Sequence, residues 1–151
     1  QEVSGQQLGS WNCASVKPHR IIGENYLHRW HLVPRNPLFN IYLHKFMGND
    51  DDRALHDHPW ASVSFLLKGG LIEVLPFPPH GWQHWKRIRR FVPVFRRATH
   101  AHRIVLAEGP AWTLFITGPV VRNWGFHCPK GWVHWKDFTD ASGNGIGKGC
   151  D

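Results

Sequence analysis

Apolar and polar positions along this chain change over in short runs, and no stretch sustains the 3.6-residue period of an amphipathic helix. Tyr26–Val33 and Leu38–Met47 are rich in aromatic and β-branched residues and are divided by Pro34, Asn36 and Pro37, which punctuate strands. Further strands are expected over Pro59–Lys68, Leu71–Phe77, Trp85–Val94, His102–Leu106, Ala111–Thr117, Val121–Phe126 and Gly131–Phe138. Gly69-Gly70 reads as a tight hairpin turn, Glu108-Gly109-Pro110 as a second turn, and Gly118-Pro119 as a break. Asn49–Asp52 reads as an acidic loop and Pro76–Gly81 as a Pro-rich one. Strands spaced by turn signals every ~8 to 12 residues predict an all-β domain, a sandwich or jelly-roll barrel with short or absent helix. The expected division is an N-terminal arm or loosely attached strand over 1–18, a barrel over 19–139, and a flexible Gly-rich tail over 140–151.

Composition narrows this picture. The 151 residues suffice for one domain, and nine Trp with nine Phe argue against disorder. No apolar run approaches the ~18 to 20 residues that span a bilayer, and no basic-then-apolar leader is visible, so no membrane association is expected. The chain begins with Gln, which leaves a processed start open. Cys13, Cys128 and Cys150 are an odd set with no close pair, neither a disulfide scaffold nor a zinc knuckle. That favours a reducing cytoplasm, although a single bridge is compatible with the count. Net charge is +7 with a pI of 9.8, concentrated in Lys86, Arg87, Arg89, Arg90, Arg96 and Arg97. This stripe over 86–97 can meet nucleic acid or a small anion, or can be a solvated strand face. A small-molecule substrate is the expected partner, with nucleic acid ranked below it.

Candidate chemistry lies in Leu55-His56-Asp57-His58-Pro59-Trp60. On a strand, His56 and His58 share one face while Asp57 points away, and Cα atoms roughly 6.5 to 7 Å apart let two imidazoles meet on one ion. With twelve histidines, such a pair also arises by chance, and His100-Ala101-His102 is a second one.

The run from His56 to Gly69 resembles the first cupin motif, in which His-x-His is followed four residues on by Glu and seven later by Gly. Gly69 matches the frame, while Ser62 stands where the Glu would be. Arg97–Ile104 resembles a degenerate second motif, with His102 the better match for its histidine. The wider run from Tyr42 to Phe138 looks like small bacterial and phage cupins. The resemblance implies a cytoplasmic, bacterial or phage-encoded jelly-roll barrel, often dimeric through sheet extension. It also implies one divalent metal on His56, His58 and His102, with His100 and Glu73 as alternate ligands. The missing carboxylate leaves three neutral imidazoles, a set that cupin thiol dioxygenases also use, and one suited to an anionic co-ligand. Fe(II) is therefore the favoured ion, with Zn, Ni or Mn open.

Candidate pocket residues are Ser62, Trp60, Arg103 and Trp124, although regular alternation turns Arg103 away from the metal. The expected function is a metal-binding cupin, an Fe(II)-dependent oxygenase of a small, anionic substrate. A non-redox isomerase, hydrolase or lyase and a non-catalytic binding or sensor module are the alternatives. Gly-x-Ser-x-Gly and phosphate-loop signatures are absent.

Overall fold

The computed structural model describes residues 16–50, 54–77 and 82–151. Most of the expected N-terminal arm, Asp51 and Asp52 of the acidic loop with the following Arg53, and part of the Pro-rich loop lie outside these residues. Ten strands and one helical turn follow in order: β1 (Arg20–Ile22), β2 (Leu27–His31), β3 (Asn40–Phe46), β4 (Leu55–His56), β5 (Ser62–Phe77), β6 (Trp82–Arg87), β7 (Val94–Arg96), β8 (Arg103–Thr117), β9 (Gly125–Cys128), β10 (Gly131–His134) and α1 (Trp135–Phe138). The larger sheet has the order β1-β2-β3-β8-β5-β6, with β7 also on β5, and a second sheet has the order β10-β9-β4. This all-β, single-domain architecture is the one expected from the strand pattern. No described helix is long and apolar enough to cross a membrane.

Two expected turns are absent, for one physical reason. β5 and β8 run unbroken past each other, where Gly69-Gly70 reads as a hairpin turn and Glu108-Gly109-Pro110 as a second turn. The pairing slips in register between Leu66 and Leu71, so the glycines accommodate bulges within a long strand pair. Gly69 has φ +78°, and a Cβ there would lie 2.6 Å from both the Ala111 Cα and the Glu108 carbonyl oxygen. Gly69→Ala combines left-handed strain with a backbone clash, and about 2 to 4 kcal/mol of stability should be lost in chemical denaturation with the slope m unchanged. The last expected strand also ends early, at His134, and Trp135–Phe138 form the helical turn α1.

One core cluster joins Leu27, Phe46, Leu66, Leu71, Ile88, Ile104 and Ala111 between strands of the larger sheet. A second gathers Ala54, Phe126 and Phe138, with the Phe126 and Phe138 rings stacked at 3.6 Å. Against the second cluster Cys128 and Cys150 form a disulfide, the single bridge that the cysteine count allowed. It ties the C-terminal segment down, and Gly147 and Gly149 donate backbone hydrogen bonds to the Phe138 carbonyl.

Candidate metal centre

β4 is only two residues long, yet it sets the site. His56 and His102 exchange both backbone hydrogen bonds at 2.9 Å, which places their side chains together across two distant parts of the chain. His58 lies just beyond β4, with its backbone N–H donated to the Ala98 carbonyl. Alternation holds as expected, for His56 and His58 turn inward while Asp57 is buried on the opposite side. There Asp57 accepts from the Gly125 backbone N–H, the Trp132 indole and Arg122. Burial alone would raise its carboxyl, but these partners hold it below the usual range. Asp57 thus locks the loop that carries His58 onto β9.

His56, His58 and His102 bring their ring nitrogens within 4.8 Å of one another, with ring centroids 5.1 to 5.2 Å apart in every pair. His58 Nε2 and His102 Nε2 are 2.9 Å apart. Metal–imidazole bonds of about 2.0 to 2.1 Å fit such a triangle with small side-chain adjustment. Burial depresses all three imidazoles, His56 to about 4, His102 to about 3 and His58 well below its ordinary value. All three are therefore neutral near pH 7, the protonation state a metal ligand requires.

Carboxylates stand behind two of the rings. Glu73 accepts from His102 Nδ1 at 2.7 Å, which leaves His102 Nε2 with its lone pair toward the triangle. The same Oε1 meets Arg96 Nε at 2.6 Å and His100 Nε2 at 3.1 Å. Burial would raise the Glu73 carboxyl, but the two histidines and the Arg96 guanidinium hold it far below the usual range. Asp50 Oδ2 lies 3.3 Å from His56 Nδ1, a close approach without the hydrogen-bond geometry of the Glu73–His102 pair. Glu73, His100 and His102 make a second group of donor atoms within 4.8 Å, but in it Glu73 already meets both histidines and Arg96.

The triangle faces a cavity of about 540 Å³. Of the four candidate pocket residues, Trp60 and Trp124 line it and Ser62 and Arg103 do not. Ser62 shares a strand face with Ser64, but it sits at the far end of β5 beside Thr117, and Ser64 reaches the cavity in its place. Arg103 turns outward on β8 and lies over the Trp85 ring at 5.8 Å, the direction alternation implied. His100 stays outside the cavity lining, with a third of its side chain exposed.

The sequence reading did not single out Arg29 and His44, which stand directly opposite each other on β2 and β3 and both line the cavity. Arg29 Nε donates to His44 Nε2 at 2.9 Å, and the guanidinium lies 4.5 Å from the Tyr42 ring centroid. No carboxylate pairs with it among the described residues. Burial lowers Arg29 to about 10, and with Arg96 its charge helps keep His58 neutral. His44, clamped between Tyr42 and Phe115, is likewise held neutral by burial and by Arg29. Both residues fall on one face only once the β2–β3 register is known. Asp50 was hidden for a different reason, since an acidic run before a motif reads as a solvated turn.

Comparison with known proteins agrees with this fold. No protein-family model and no curated protein matches the chain. Among solved structures, Fe(II)-HppE with an alternative substrate, (S)-1-HPP, superposes with a TM-score of 0.50 at 16% identity, over 64% of this chain and 52% of that one. An oxalate decarboxylase gives 0.50 at 15% identity, over 70% and 27%. Peruvianin-I from Thevetia peruviana latex, described as a cysteine peptidase, gives 0.53 at 10% identity, over 78% and 74%. The chain spans about half of the first and about a quarter of the second. At such identities the likeness is one of fold, and the differing descriptions show how much chemistry one fold hosts. The chain is thus a cupin-fold protein with a buried three-histidine group able to hold one divalent metal.

Proposed function

We propose that the protein is an Fe(II)-dependent oxygenase of a small anionic substrate, with the metal on His56, His58 and His102. One observation carries the reading: three neutral imidazoles share a cavity with a guanidinium that has no carboxylate partner among the described residues. An all-neutral ligand set leaves the ion's double charge uncompensated, and Arg29 adds another positive charge, so the cavity selects for an anion. With Nε on His44, the two terminal nitrogens of Arg29 form a fork free to bind a carboxylate. Trp60, Phe115, Trp124 and Phe126 supply apolar walls that exclude water around it. Bound Fe(II) would supply the redox chemistry with O2 that side chains lack. Glu73 orients His102, and Arg29 orients the substrate.

The test is anaerobic loading of the apoprotein with Fe(II), followed by O2 and a panel of small thiols and carboxylates in an oxygen electrode. Accelerated O2 uptake with at least one acid is expected. If none accelerates it while zinc-loaded protein hydrolyses or isomerises a member of the panel, the metal acts as a Lewis acid, since three histidines also form catalytic zinc sites. For the acid that turns over, Arg29→Gln should raise KM on the order of 10- to 100-fold, as expected for losing a charge-assisted hydrogen bond. Arg29→Lys should recover part of that loss, and O2 uptake at saturation should change much less.

A further inference from the structure

Residues 82–97 form a continuous outer margin of the larger sheet, and apart from Ile88 and Arg96 they lie outside the cavity lining. β6 pairs with Ile72–Phe77, the Ile88 N–H donates to the Leu71 carbonyl, the Phe91 N–H to the Leu66 carbonyl, and β7 pairs with Ser62–Ser64. β6 is the terminal strand of its sheet, and all six of its residues are exposed. Ile88 anchors the segment in the core, and Arg96 turns inward to Glu73. The rest faces solvent with an unusual composition. Trp82 is 71% exposed, Trp85 54%, Phe91 70% and Phe95 69%. Lys86, Arg87, Arg89 and Arg97 are exposed among them and make no ion pair among the described residues. From Val74 to Ala107 the sequence contains seven Lys and Arg residues and no Asp or Glu.

Neither feature follows from folding. Large rings exposed on a monomer lose the burial that would stabilise them, and uncompensated cations repel one another. Phe91 adds a third sign, for its φ of +61° is strained for a bulky residue and its ring gains little packing in return. Pairing of two copies along β6 would gather the Lys86 and Arg87 charges of both copies on one seam with no acidic residue of either β6 to offset them, which like charge opposes. An anionic partner removes that repulsion. Along the chain the two chemistries follow one another in runs, Trp82 and Trp85, then Lys86, Arg87 and Arg89, then Phe91 and Phe95, then Arg97, so this edge offers both rings and cations to a polymer carrying a planar base and a charge at each unit. Such a combination of stacking platforms with backbone-tracking cations is how single strands are held without sequence readout. We propose that the 82–97 edge binds single-stranded nucleic acid, through phosphate contacts from Lys86, Arg87, Arg89 and Arg97 and base stacking on Trp82 and Phe91.

The test is fluorescence anisotropy with labelled oligothymidylate and oligouridylate of about twelve nucleotides, within the usual site size. A duplex of equal length and vesicles of anionic phospholipid serve as comparisons. Both single strands should bind, and log K against log salt should have a slope of about −3, corresponding to four phosphate contacts. Arg89→Ala and Arg97→Ala should each reduce that slope by about 0.7. Trp82→Ala and Phe91→Ala should weaken binding about tenfold with the slope unchanged. All four side chains are exposed, so these variants should keep the wild-type circular dichroism. Metal chelation should not change the affinity, which separates this surface from the cavity. No binding of either strand at about 50 mM salt would overturn the proposal. So would binding of vesicles alone, or of duplex and single strands alike with Trp82→Ala and Phe91→Ala silent.

Discussion

His102→Ala should strip the metal from the protein, with affinity down by well over 100-fold in chelator competition, while His100→Ala should leave it within a few-fold of wild type. The asymmetry follows from the positions of the two rings. His102 Nε2 points into the triangle, and its backbone is clasped by His56, whereas His100 lies outside the cavity lining, with its Nε2 on Glu73 and its ring edge-on to His102. Loss of a ligand exceeds the 10- to 100-fold typical of an outer-shell partner. Glu73→Gln provides that comparison. It keeps the shape but removes the charge that orients His102, so an affinity loss on the order of 10- to 100-fold is expected. It also leaves Arg96 buried without its carboxylate, so a lower Tm should accompany the loss. If His100→Ala strips the metal and His102→Ala does not, the ligand set must be redrawn around Glu73 and His100.

Metal-free protein should unfold on mild acidification, between about pH 6.5 and 4. His44, His56, His58 and His102 are all held neutral by burial in the folded state, with His56 near 4 and His102 near 3. In the unfolded chain each recovers an ordinary value near 6.5, so below that pH the unfolded state binds more protons and stability falls with pH. Each such histidine contributes a slope of about 1.4 kcal/mol per pH unit, and four together approach about 5.5. Against a total stability on the order of 5 to 15 kcal/mol, this decides the acid limit. The loss is confined to the window between the unfolded and folded values, and it levels off below the latter. Metal binds only the folded, deprotonated set, so saturating zinc should move the midpoint of unfolding, followed by tryptophan fluorescence, to lower pH. A midpoint that zinc does not move would mean that these histidines are not the metal ligands.

The His-x-His pair, its inward face and the outward turn of Asp57 could be read from the sequence because alternation along an extended segment is a local property, set by a period of two. The all-β class followed from the same short-range patterning, and His102 came from the resemblance to a motif frame. Local signals misled where backbone conformation depends on a distant neighbour. Gly69-Gly70 and Glu108-Gly109-Pro110 have turn chemistry, yet β5 and β8 continue through both because each strand supplies the other's hydrogen bonds. Only the tertiary structure decided that Glu73 and Asp50 stand behind His102 and His56, that Ser64 replaces Ser62 at the cavity, and that Arg29 meets His44. Each of these depends on strand register, and a slip of one residue would turn every such side chain to the other face. Register is fixed by how whole strands bury their apolar faces together, which no window of neighbouring residues contains.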